Sequence, residues 1–408
     1  MVAPAKRPEG VLRLCVVPPD SLQPEDVGPD DGIGLSRWRP TPKYQVRLGE
    51  QDWLKACPQG RLVVEPRLQT GCPGEMNPIP AIRRIDVEPD EIPPASAPRP
   101  WNGFGAMVGL VRELRERLAD RSGAAAHPTW FLRLDPDIER SCGRVDFAVD
   151  HHRGLVDELR AHGDPFGIHV HYHRWDERRQ VVYSDHANVD WITHCFDVAA
   201  DAFKRCFGEP ARRSSQGGYF LHDSVVDRAV AAGIEVDITA EPGHRAKSAD
   251  PSFGDYATAP SSDFRDFPRR PYYPSQSALG APARSLATSR PILMVPLTSY
   301  DYQTALTPWP RRIAKRELLR PRQYLPLNPW KAWPHPKTYW DLVARAAGEG
   351  PARYIALAVR TDGPDSPTHR HARELLEYLP NHAIARRLRL RRSPVTPDQG
   401  PRPSGNRY

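Results

Sequence analysis

No stretch of this chain approaches the ~20 consecutive apolar residues that a membrane span requires. The first apolar run, VLRLCVV, is broken by Arg13 and closed by Pro18 and Pro19, which does not make a signal peptide. Cysteine is scarce: six in 408 residues, at positions 15, 57, 72, 142, 195 and 206, with neither a C-x-x-C pair nor a regular spacing. That pattern argues against a zinc ribbon and against a disulfide framework, and free thiols suit a reducing compartment. A soluble, cytoplasmic protein with no membrane partner is the expectation.

Charge of one sign is also missing. The net charge is +7, yet arginine is interleaved with aspartate and glutamate along the chain, so nucleic acid is not an expected partner. The exception is the Arg-rich stretch RRLRLRR near the carboxyl end, which reads as a basic tail fading into disorder. Hydrophobic residues make up only 39% and prolines number 46, so part of the chain is not expected to pack. Residues 1–75 hold no sustained period of 2 or 3.6 and read as a disordered or loosely packed Pro/Arg-rich extension, with Met76 as an alternative start. Residues 76–393 read as the folded domain and 394–408 as a disordered tail.

After Met76 strand and helix signals alternate, which predicts an α/β domain built on a parallel sheet. AIRRIDVE (81–88), PTWFLRLD (128–135), FGIHVH (166–171), IEVDIT (234–239) and ARYIALAVRTD (352–362) read as strands. GAMVGLVRELRERLADRSG places Met107, Leu110, Val111, Leu114 and Leu118 on one helical face, and VDFAVDHHRGLVDELRAHG reads as a second helix ended by Gly163. NVDWITHCFDVAADAFKRCFG aligns Ile192, Cys195, Phe196, Ala199 and Phe203, which makes Cys195 a core packer and not a nucleophile. The alternation runs about seven times, and a closed or nearly closed β/α barrel is its natural outcome; residues 240–290, polar and aromatic, read as a long loop or lid.

In such barrels chemistry sits at the carboxyl ends of the strands. Here those ends carry Asp86 and Glu88, Arg133 and Asp135, His169, His171 and His173, Arg212 and Arg213, Asp237, and Arg360 with Asp362. In the segment GIHVHYH the three histidines recur at every second residue, so on an extended strand they share one face. That face is either a polar rim or a metal site. Carboxylates from one strand with paired imidazoles from another suit a hard or borderline divalent cation.

The set IDVEPDE, GIHVHYH and RRSSQGGY resembles the motifs of the polysaccharide deacetylase family, carbohydrate esterase family 4. That resemblance implies a distorted (β/α)7-type barrel and a metal-dependent hydrolase acting on C–N or ester bonds of a carbohydrate or glycoconjugate. It implies zinc, or manganese, cobalt or nickel, held by Glu88 (Asp90 the alternative), His169 and His173. Asp86 would be the base and Arg213, with Arg212 close behind, the residue that orients it. Arg133, Asp135, Asp237, Arg360 and Tyr272 would line the substrate. The family ends its last motif on a histidine acid, whereas this chain has Arg360, which stays protonated near neutral pH. His171 or His222 would then protonate the leaving group, or the barrel binds carbohydrate without turning it over.

Overall fold

The computed structural model describes residues 55–56, 62–63, 79–90, 100–122, 126–246, 261–301, 324–329, 333–349 and 354–390. Within 1–75 that leaves a two-residue antiparallel ladder, Lys55–Ala56 with Leu62–Val63. The rest of that extension and the 394–408 tail lie outside the described residues.

The parallel sheet comprises β1 (Ile79–Val87), β2 (Thr129–Arg133), β3 (Phe166–Val170), β4 (Arg213–Gln216), β5 (Val236–Asp237), β6 (Leu293–Met294), β7 (Ile355–Arg360) and β8 (Leu388–Leu390). Their order is β6-β5-β4-β3-β2-β1-β7, with β8 also beside β1. The sheet curls back on itself: just past β6, the Thr298 N–H donates to Ala356 O (2.8 Å) and the Ala356 N–H donates to Thr298 Oγ1 (2.9 Å), so the gap before β7 is bridged by two bonds. A closed curl has an inside. Ile82, Phe131, Val236, Ile238, Val295, Leu297, Ala356 and Ala358 form an interior core, separate from the larger core between sheet and helices. This is the distorted barrel expected from the alternation of elements.

The helices are α1 (Asn102–Ser122), α2 (Pro136–Cys142), α3 (Phe147–His151), α4 (Arg153–Ala161), α5 (Val189–Phe207), α6 (Asp223–Ala231), α7 (Pro336–Glu349) and α8 (Pro367–Tyr378). The apolar stripes read from sequence on α1 and α5 are buried, Cys195 among them. Three elements differ from expectation. The stretch read as one helix before Gly163 is two, interrupted at His152. The short α2, started by the Asp135 carboxylate as its cap, was too brief to carry a period. The LRL of the supposed basic tail is β8, whose alternation lets Leu388 bury against β1. In the 240–290 segment, the described part packs into the molecule, with Phe264 and Tyr272 in the outer core.

Register places the inward-facing residues in layers. Ile82, Arg84 and Asp86 of β1 pair with Ala356, Ala358 and Arg360 of β7. On the other side Asp86 pairs with Phe131, Arg133 with His169, and His169 with Ser215. Gly167, just before the histidines, is required by that packing: a Cβ there would lie 2.8 Å from the Phe131 ring and from Arg213 O. At the mouth the Asp90 carboxylate accepts from the amides of Asn102 (2.9 Å) and Gly103 (2.7 Å), satisfying the free N–H groups that begin α1.

Gly167→Ala is expected to destabilise the fold by about 1–3 kcal/mol through overpacking, read as a lower denaturant midpoint at unchanged m-value; an unchanged midpoint contradicts the packing described. Asp90→Ala is expected to cost about 1–2 kcal/mol as a lost helix cap while leaving metal affinity unchanged.

Candidate metal centre

β1 and β3 lie two strands apart, with β2 between them, and their carboxyl ends bring Glu88, His169 and His171 together. Glu88 is two residues beyond Asp86 on the same face, and its backbone is clamped by Thr361, whose Oγ1 accepts from the Glu88 N–H (2.9 Å) and donates to Glu88 O (3.0 Å). His169 Nε2 and His171 Nε2 are 3.1 Å apart. Glu88 Oε1 is 3.5 Å from the first and Oε2 is 3.3 Å from the second. A tetrahedral ion with bonds of ~2.0–2.1 Å has ligand-to-ligand edges of roughly 3.3 Å, so the three donors already stand at the separation an ion would impose. Two imidazoles and one carboxylate with an open fourth position form a ligand set of catalytic zinc sites. The residues present fit a divalent cation.

The surroundings fix which atoms face inward. Ser215 O can only accept, so at 2.9 Å it takes the hydrogen of His169 Nδ1 and leaves the Nε2 lone pair toward Glu88. The His171 ring lies against Gly217, where a Cβ would come within 2.2 Å of it. Its backbone N–H donates to Asp135 Oδ2 (3.0 Å). Burial, and then the Arg133 guanidinium, hold the His171 imidazole well below its ordinary pKa, so the ring is neutral, the form that ligates. Burial would raise the Glu88 carboxyl, but Arg360 with His171 and His169 outweighs it and holds the group well below the usual range.

The structure distributes the sequence-predicted residues differently from expectation. His173, expected as the second imidazole ligand, is replaced in the cluster by His171. The chain stays extended through residue 170, so the side-chain period of two brings 169 and 171 to one face. His173 begins a separate hairpin, and its Nδ1 faces Arg133 Nη2 at 3.1 Å and Asp137 Oδ2 at 3.6 Å. Arg213, expected beside Asp86, is the first residue of β4 and lies three positions, ~10 Å, from the strand's carboxyl end. Arg84 holds Asp86 instead, through Nε to Oδ1 and Nη2 to Oδ2, both 2.7 Å. Asp86 lies on the Nδ1 side of His169, 3.8 Å away.

Arg133 and Asp135 are fully buried beneath the cluster, the guanidinium bound to Asp135 Oδ2 and Asp137 Oδ2 at 2.8 Å each, so they position His171 and do not meet a substrate. Asp237 accepts from Ser214 Oγ (2.7 Å) on the sheet's outer side, and Tyr272 donates to Leu279 O (2.7 Å) in the outer core; neither lines the mouth. Asp90 serves α1 and not the ion. Arg360 does stand at the mouth, its side chain 40% exposed, Nε 3.2 Å from Glu88 Oε1 and Nη2 3.0 Å from Asp362 Oδ1. Burial pushes the Asp362 carboxyl up although Arg360 pulls it down. Arg84, Ser215 and Gly217 escaped the sequence reading, although Arg84 was legible as the same-face neighbour of Asp86.

No protein-family profile and no curated protein sequence matches this chain. Among solved structures it is similar to a protein of Parabacteroides distasonis described as a candidate glycoside hydrolase/deacetylase, at 12% identity over 77% of this chain and 69% of that one, TM-score 0.47. It is also similar to a peptidoglycan deacetylase of Bacillus subtilis (11% identity, 75% and 84% covered, TM-score 0.31) and to a polysaccharide deacetylase of Bacillus cereus (11%, 75% and 88%, TM-score 0.32). Several of the neighbours are polysaccharide deacetylases. None of the helices among the described residues is long and apolar enough to cross a membrane.

His171→Ala is expected to abolish high-affinity zinc binding in titration calorimetry while His173→Ala retains it; the reverse order contradicts the geometry. Because Arg360 competes for Glu88, Arg360→Gln is expected to tighten zinc binding by ~10-fold or more, and weaker binding in that variant would contradict the competition.

Proposed function

We propose that this chain is a divergent member of the polysaccharide deacetylase family, a metal-dependent hydrolase that removes an acyl group, N-acetyl in the simplest case, from a glycan or glycoconjugate. The observation that carries this reading is the convergence of Glu88, His169 and His171 at ligand spacing in the mouth of a β/α barrel. A divalent cation held there supplies polarisation of a carbonyl and acidification of a water. Zinc suits the donor set best, with manganese, cobalt and nickel as its competitors.

In this reading the chain's own groups do the remaining work. Asp86 is the proton acceptor, and Arg84 takes the orienting role by engaging both of its oxygens. Arg360 cannot trade a proton, so it binds: its exposed guanidinium contacts the polar groups of the sugar or an anionic substituent. Asp362, ion-paired to Arg360 Nη2 at 3.0 Å, holds that guanidinium at the mouth.

The test is acetate release from N-acetylated and O-acetylated oligosaccharides by the full chain, with and without zinc. Turnover is expected to need the ion and to disappear in His171→Ala. Asp86→Asn is expected to lower kcat by ~10²–10⁴ with zinc affinity preserved. Zinc-independent release, or release unaffected by His171→Ala, sinks the proposal. A second reading, a barrel that binds carbohydrate without turnover, is favoured by one contact, the Arg360–Glu88 ion pair that fills part of the ligand carboxylate's capacity. It predicts sugar binding that survives Asp86→Asn, and no acetate.

A further inference from the structure

We propose that the Ser215 hydroxyl is a spacer: it holds His169 off Asp86 and so keeps the ring turned toward Glu88 and His171. The inference rests on the reading of those three residues as a metal centre. It gives Ser215 a positioning role that acts through His169.

Three acceptors surround one hydrogen. His169 Nδ1 lies 2.9 Å from Ser215 O, 3.3 Å from Ser215 Oγ and 3.8 Å from Asp86 Oδ1. All three residues are buried, so the choice is made within the protein. A hydrogen bond to a carboxylate is about twice as strong as one between neutral groups. Arg84 engages both Asp86 oxygens at 2.7 Å, but each carboxylate oxygen has two lone pairs, so capacity remains. On strength alone the Nδ1 hydrogen belongs to Asp86. A turn of the ring in that direction would carry Nε2 away from Glu88 Oε1, now at 3.5 Å, and from His171 Nε2, now at 3.1 Å.

Ser215 stands in the way of that turn. It pairs with His169 across β3 and β4 and faces the barrel interior, with its Oγ 3.5 Å from Asp86 Oδ1. A hydroxyl offers one hydrogen and two lone pairs. Its hydrogen, donated to Asp86 Oδ1, occupies the carboxylate on the side that faces His169. One of its lone pairs shares the Nδ1 hydrogen with the carbonyl of the same residue. Ser215 thus supplies both acceptors that hold the ring and satisfies the stronger acceptor that would draw it off. Alanine at this position keeps the carbonyl and removes the spacer.

The test is zinc titration calorimetry on the full chain, with NMR of the metal-free, histidine-labelled protein reading the His169 Nδ1 hydrogen. Ser215→Ala is expected to weaken zinc binding by ~10-fold or more. It is also expected to move the Nδ1 proton resonance downfield, as capture by a carboxylate requires. Asp86→Asn removes the charged competitor, so the double variant Ser215→Ala/Asp86→Asn is expected to regain most of the lost affinity. A void left by the missing hydroxyl gives the opposite pattern, a double variant at least as weak as Ser215→Ala, and that result overturns the proposal. An unmoved Nδ1 resonance in Ser215→Ala overturns it as well, and that measurement needs neither zinc nor the second substitution. Wild-type zinc binding with an equal affinity in Ser215→Ala overturns the spacer alone. A wild-type chain that binds no zinc overturns the metal centre and the spacer with it.

Discussion

Glu88 is a carboxylate only 4% exposed to solvent, and an ionised group so placed costs several kcal/mol unless cations and hydrogen bonds answer it. Much of the barrel mouth can be understood as that answer. Arg360 approaches one oxygen, the imidazoles of His169 and His171 stand before both, and Arg133 lies 4.0 Å from the second. Arg133 is itself buried and is balanced by Asp135 and Asp137, and Asp135 in turn fixes the His171 backbone and caps α2. The chain of compensation therefore runs from one acidic side chain on β1 to the geometry of both histidines on β3.

The scaffold makes this possible because strand register is rigid where side-chain direction is concerned. Placing Asp86 inward on β1 commits Arg84 and Glu88 to the same face, and placing His169 inward on β3 commits His171 but not a residue beyond the strand's end. The interior core of small and branched residues beneath them, with Phe131 pressed against Gly167, closes the barrel under the polar layer and keeps it dry from below. Charge interactions at such a site are stronger for that dryness.

Much of this was legible in the sequence. The alternation of strand and helix periods gave the barrel, and the strand-end rule gave Asp86, Glu88, His169, His171 and Arg360 as mouth residues. The errors have a common source: spacing read without knowing where each strand stops. His173 was favoured because four-residue spacing fits a familiar pattern, yet β3 ends at Val170 and the two-residue period prevails. Arg213 was read as a strand end when it is a strand start, and it is Arg84 that holds Asp86. Asp237 and Tyr272 carry polar groups suited to a site, but their direction, behind the sheet, is set by pairing that no local pattern encodes.

The most direct measurement is the X-ray absorption spectrum of the zinc-loaded chain, supported by anomalous diffraction at the zinc edge. The account predicts one ion bound through two imidazole nitrogens and one carboxylate at ~2.0–2.2 Å, with the anomalous peak between Glu88, His169 and His171. A peak at His173 and Asp137, or an ion with no imidazole in its coordination shell, would contradict it.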